Sequence, residues 1–108
     1  MSFEKLLKSL PSLSASAPIE SPFDAEKFLR WQCSTERTHD ELIAGRLVLS
    51  VWRDLDWVAL ASELQLEAPF AARRFCIVEA ATSWDAQHCT ALAGWLLEGN
   101  KFPREPAD

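Results

Sequence analysis

The stretch Thr38-His-Asp-Glu-Leu-Ile-Ala-Gly-Arg-Leu-Val-Leu-Ser-Val-Trp-Arg-Asp-Leu55 decides how this chain folds. Thr38 followed by Glu41 has the capping-box pattern, in which two side chains satisfy backbone N–H groups at a helix start. A helix is therefore expected from His39 to about Leu55. At 100° per residue, Arg46, Ser50, Arg53 and Asp54 fall in one narrow sector. Leu42, Ile43, Ala44, Leu47, Val48, Leu49, Val51, Trp52 and Leu55 take most of the remainder. A surface helix shows one apolar stripe, so this one needs cover from several sides. It is either the central helix of a bundle or a helix partly buried by a second molecule.

The flanking segments read as helices too. On the N-terminal side, Ser21 suits a cap, Pro22 a first helical position and Asp24 a first turn. They open a helix of about 22–34 that carries Phe23, Phe28, Leu29 and Trp31. Cys33 to Thr38 holds weaker helix formers and is either a break or a solvated stretch. On the C-terminal side, Asp56 can cap a helix of about 57–66, with Trp57, Leu60, Ala61 and Leu64 at helical spacing. Pro69 ends that helix or opens the next. Residues 70–82 read as helix from their alanines, although Phe75-Cys-Ile-Val78 would also suit a short strand. Ser83 can cap a last helix of about 84–98, with His88, Leu92, Trp95 and Leu96 along one side. Gly99-Asn100 supplies a left-handed stop and Pro103 prevents continuation. The expected fold is all-α, a single small domain of four to five helices over residues 22–103. Residues 3–9 could form a turn or two of helix. The Ser-, Ala- and Pro-rich run from Leu10 to Pro22 makes residues 1–21 a mobile N-terminal segment. Residues 104–108 are a tail.

The 108 residues carry a net charge of −5 and a pI of about 5.0. That balance opposes binding to nucleic-acid phosphates or to an anionic membrane surface. No apolar run is long enough to span a bilayer. Three cysteines, an odd number at long spacing, do not form the even framework of a small secreted domain. The expected location is the cytoplasm, with thiols reduced.

Little in the sequence carries chemistry. Cys33, His39, Cys76, His88 and Cys89 could supply metal ligands, but there is no Cys-x-x-Cys pair, and the adjacent His88 and Cys89 project apart on a helix. They read better as small buried cysteines and half-exposed histidines. A cysteine–histidine nucleophile drawn from the same residues lacks a supporting strand–turn–helix context. Three isolated glycines make no phosphate cradle. The expectation is no metal, no cofactor and no enzymatic activity. As an alternative, Trp57–Leu66 followed by Phe70–Phe75 loosely resembles a helix-turn-helix, with Arg73 and Arg74 to face DNA. Gln65 stands there where a turn glycine is usual, and Pro69 breaks the spacing.

The surplus of large apolar residues points to an interface, where Trp and Arg dominate binding energy. Phe28, Leu29, Arg30 and Trp31 form one candidate edge, and Arg46, Trp52 and Arg53 a second. The length, the acidity and a Ser-rich lead into a helical body containing Phe28-Leu29-Arg30-Trp31-Gln32-Cys33 resemble the small pseudomonad quorum-sensing antiactivators. The resemblance spans the whole chain, has no diagnostic motif, and carries over no individual functional residue. It implies a regulator that binds the ligand-binding domain of a LuxR-type transcription activator and occupies its dimerisation surface. The expected protein is a non-enzymatic inhibitory binder, homodimeric alone. A phage or secretion accessory inhibitor or chaperone would have the same biophysical character.

Overall fold

The computed structural model describes residues 2–98. Seven α-helices follow one another: α1 (Phe3–Ser9), α2 (Pro11–Ser14), α3 (Ala25–Gln32), α4 (His39–Trp52), α5 (Trp57–Glu63), α6 (Ile77–Ser83) and α7 (Ala86–Glu98). A 3-10 turn at Pro69–Ala72 lies between α5 and α6. There is no strand among the described residues, and the all-α expectation holds. The expected stop at Gly99-Asn100 and the tail fall outside the described residues.

The helix starts follow side-chain capping. At α4 the capping box is complete: Glu41 N–H donates to Thr38 Oγ1 at 3.2 Å, and Thr38 N–H donates to Glu41 Oε1 at 2.8 Å. Asp56 accepts from Ala59 N–H at 3.0 Å and opens α5 as expected. Two starts differ from expectation. Asp24, not Ser21, caps α3 by accepting from Lys27 N–H at 3.1 Å. Asp85, not Ser83, accepts from His88 N–H at 3.0 Å at the head of α7. In both cases a carboxylate is the stronger acceptor for unpaired helix N–H groups, and its charge suits the helix dipole. Helix α5 ends early because Gln65 takes a left-handed φ of 57°.

The expected helix over residues 70–82 is split. Pro69 begins a single 3-10 turn, and the chain is then extended at Arg73 and again at Cys76, before α6 starts at Ile77. Within this extended stretch, Phe75 N–H donates to Ser50 Oγ on α4 at 3.3 Å. Phe75–Val78 is thus neither continuous helix nor a paired strand.

Helix α4 is the centre of the fold. Every residue from Ile43 to Leu49 is buried, and α2, α3, the 3-10 turn and α6 pack around it. Part of that cover comes from the segment expected to be mobile, which is a correction. Leu6, Leu7, Leu10 and Leu13 are all buried. Phe3 lies 5.1 Å from both Phe23 and Trp52 between ring centroids, and Phe23 lies 4.8 Å from Trp52. The physical reason is that α1 turns Phe3, Leu6 and Leu7 to one side, and the extended residue Leu10 redirects the chain so that α2 adds Leu13 to the same core. Ser2 caps α1 through Lys5 N–H, and Pro11 occupies a favourable first-turn position of α2. Each leucine buried in this way contributes about 1.5–3 kcal/mol. The apolar excess of α4 is therefore covered within the chain.

Candidate partner-binding surface

The fold separates the seven candidate interface residues. Phe28 and Leu29 have no accessible surface and belong to the core. Trp31 is half-buried, with its ring 5.4 Å from that of Phe28 and the guanidinium of Arg37 stacked 4.3 Å from it. Arg30 is exposed and pairs along the helix with Glu26. Trp52 is half-buried under Phe3 and Phe23, and only Arg53 beside it is exposed. Neither expected edge forms an exposed apolar face. Phe28 to Trp31 spans almost a full helical turn, and α3 buries Phe28 and Leu29 in the core where it packs against α4.

Arg46 is the clearest misplacement. The sequence places it in a polar sector at a partner-binding edge, but only 6% of it is exposed. Its Nε donates to Ala71 O at 3.1 Å, and its Nη1 pairs with Glu79 at 3.0 Å. Glu79 also holds Arg73. Burial pushes the Glu79 carboxyl up, but the Arg73 and Arg46 guanidiniums outweigh it and hold the group below its usual range. The pair pins α6 to α4 across the 3-10 turn. A buried arginine so engaged is structural, and sequence patterning alone does not reveal a partner 33 residues away.

Exposed apolar surface lies elsewhere. Phe70 is 69% exposed, Val78 67%, Ile77 53% and Leu55 47%. They sit on the 3-10 turn, on α6 and at the α4–α5 corner. Arg73 links these segments: its guanidinium lies 5.7 Å from the Phe70 ring and pairs with Glu79, one residue beyond Val78. A depression of about 250 Å³ at this corner is lined by Leu55, Trp57, Val58, Ala72, Arg73 and Arg74. Arg74 and Asp54 form an exposed ion pair 2.6 Å long beside it. Sequence periodicity does not show this face, because it reads residues 70–82 as helix, with a short strand at Phe75–Val78 as the alternative, and neither a continuous helix nor that strand forms. Leu96 and Leu97 are also exposed, in the last turn of α7.

A second cluster joins residues 76 apart. Ser12 Oγ lies 2.8 Å from His88 Nε2, and Ser12 N–H donates to the same nitrogen at 3.3 Å. His88 Nδ1 lies 2.8 Å from Asp85 Oδ1. The imidazole is buried, in contrast to the half-exposed position expected of it, and stacks on Trp84 at 5.2 Å. Accepting from His88 N–H, and then from its ring, holds the Asp85 carboxyl below its usual range. Only the Asp85–His88 half of this cluster, three residues apart, is visible in the sequence as a helix-start pattern.

The remaining reactive residues do not assemble. Cys33 is buried, Cys76 exposed and Cys89 intermediate, and burial pushes the Cys33 thiol up to about 11. His39 meets Ser83 at 3.2 Å. Among the described residues no three His, Cys, Asp or Glu side chains gather as a metal site. The helix-turn-helix alternative lacks its reading helix, since the segment after α5 is a 3-10 turn and extended chain with Arg73 and Arg74 in ion pairs. No helix of the described residues is long and apolar enough to cross a membrane. Compared with family models, curated proteins and solved structures, the chain shows no match.

Proposed function

We propose that this is a non-enzymatic regulatory protein that binds another protein through the face bearing Leu55, Phe70, Ile77 and Val78. The observation that carries the reading is the exposure of these four large apolar side chains on a domain that has otherwise covered its aromatic surplus. Exposed apolar side chains occurring singly are ordinary, whereas a group of them rimmed by charge marks interaction surfaces. Here the Arg73–Glu79 pair lies beside Phe70, and Arg73 and Arg74, the latter paired with Asp54, line the depression beside Leu55. Such a rim sets orientation while the apolar centre supplies binding energy.

The resemblance to quorum-sensing antiactivators makes the ligand-binding domain of a LuxR-type activator the first partner to try. In this reading the apolar face occupies the surface that the activator uses to dimerise. Without the activator, the same face pairs two copies of the chain. Titration calorimetry of the purified protein into that domain tests the idea. Saturable binding that disappears in Val78→Asp, with helical circular dichroism unchanged, supports it. Binding that Val78→Asp and Phe70→Ser leave intact removes this face from the function.

A further inference from the structure

We propose, resting on the reading of the face with Leu55 and Val78 as a binding surface, that two copies of the chain pair there by exchange. Leu55 of each copy fills the depression of the other, and Asp54 of each takes the other's Arg74.

Local structure makes Leu55 a knob. Helix α4 ends at Trp52, and Arg53 is extended. Leu55 N–H then donates to Arg53 O at 3.0 Å, a tight turn with a bond from residue i to i+2. The buried Trp57 indole holds this corner from within, its Nε1 donating to Leu49 O and to Arg53 O, each at 3.1 Å. The hole lies beside the knob. It is the depression of about 250 Å³, where Trp57, Val58, Ala72, Arg73 and Arg74 form the wall beyond Leu55 and Asp56. Pockets for small ligands run from about 300 Å³ upwards, so this one suits a single inserted side chain. A knob and a hole side by side on one surface are the parts of a two-fold interface. There, residue i of one copy meets residue j of the other, and the reverse.

The charges select a second copy as the occupant. The whole chain carries −5, so two copies repel each other over most approaches. At this corner the arginines Arg53, Arg73 and Arg74 are matched by the carboxylates Asp54, Asp56 and Glu79. The face is locally neutral and offers both signs, so it can meet itself without like-charge repulsion. Most of these groups are already committed. Asp56 caps α5, and Glu79 is held by Arg46 and Arg73 together. Arg74 and Asp54 differ. Their ion pair is 2.6 Å long, and both side chains lie mostly in water. A pair so exposed adds little to the fold. Exchanging it for the same pair across a two-fold axis therefore sacrifices little, and the apolar contacts around the new pairs exclude water and strengthen them.

The experiment measures self-association of the full chain by analytical ultracentrifugation. It compares the wild type with Asp54→Arg and Arg74→Asp, each alone and the two mixed. Either reversal sets like charges against each other twice in its own dimer, so self-association should weaken by roughly 100-fold or more. In an equimolar mixture each introduced charge meets its opposite on the other chain. A mixed dimer should then form about as tightly as the wild type, which an ion pair kept within one chain does not allow. Both positions are exposed, so helical circular dichroism should not change. Should either reversal lower it, Asp54→Asn and Arg74→Gln decide: weakened association in both supports the exchange, and unchanged association in either overturns it. Reversals that associate like the wild type overturn it, as does a mixture that stays monomeric. A wild type that is monomeric at every concentration also overturns it, while partner binding is read separately by the calorimetry above. Val78→Asp separates the exchange from the face itself. If it breaks the dimer and the charge reversals do not, the exchange fails and the binding face stands. If it too leaves the dimer intact, the face fails with the exchange.

Discussion

Gln32 and Gly45 fit so closely that residue 45 has no room for a side chain. A Cβ at that position would lie 1.7 Å from Gln32 Oε1. The amide cannot easily move aside, because its Nε2 donates to Leu42 O and to Ala71 O, each at 2.9 Å. One buried side chain thereby joins α3, α4 and the 3-10 turn. Gly45→Ala gains about 1 kcal/mol of helix propensity. It also displaces an amide whose two bonds are worth about 1 kcal/mol each, and more where a buried donor is left unpaired. The net expectation is a loss of about 1–2 kcal/mol, read as a lower urea midpoint. In a Gln32→Ala background the same change should become neutral or stabilising. Additive effects of the two substitutions would show that this contact does not fix the glycine.

The Arg46–Glu79 pair gives stability a pH dependence. Glu79 has a lowered pKa, and so does Glu41, where Thr38, Ser16 and Arg37 together outweigh burial. A carboxyl depressed in the folded state stabilises at pH values above its unfolded pKa, about 4.3 for glutamate. That contribution is lost as the pH falls from there towards the folded pKa. Urea midpoints should therefore hold from about pH 7 to 5 and decline below roughly pH 4.5. Glu79→Gln should cost roughly 2–4 kcal/mol at pH 7, because it leaves Arg46 buried and uncompensated, and it should flatten the acid decline. An equally steep decline in that variant would assign the effect to other carboxyls.

The N-terminal helices should behave as core. Leu6→Ala and Leu10→Ala are each expected to destabilise the domain by about 2–4 kcal/mol, measured by urea denaturation followed by tryptophan fluorescence. A mobile segment would make both changes silent. Trp52 should report this docking, since Phe3 packs against it.

The central helix was legible because its signals are local: a capping box of four residues and an apolar circumference. Asp56 was legible for the same reason. The N-terminal helices were not, because serines and prolines mask a leucine stripe, and Pro11 reads as a breaker when it is in fact a helix start. Arg46 reads as an interface residue because its carboxylate partner, Glu79, lies on another helix. Phe28 and Leu29 looked like interface because an amphipathic face says how much must be covered but not by what. The chain's own first fourteen residues supply much of that cover. The exposed residues Phe70, Ile77 and Val78 depend on where a 3-10 turn gives way to extended chain, a tertiary outcome with no local signature.

The Phe70–Val78 face should be separable from stability. Phe70→Ser and Val78→Asp change exposed positions, so each should alter the unfolding free energy by no more than about 0.5 kcal/mol. A larger loss in urea denaturation would mean that these side chains support the fold.

The most direct measurement is the solution mass by light scattering after size exclusion, for the protein alone and mixed with a LuxR-type ligand-binding domain. A dimer alone and a mixed complex on addition of the activator domain are expected, both abolished by Phe70→Ser with Val78→Asp. A monomer that leaves the activator domain unbound would contradict it.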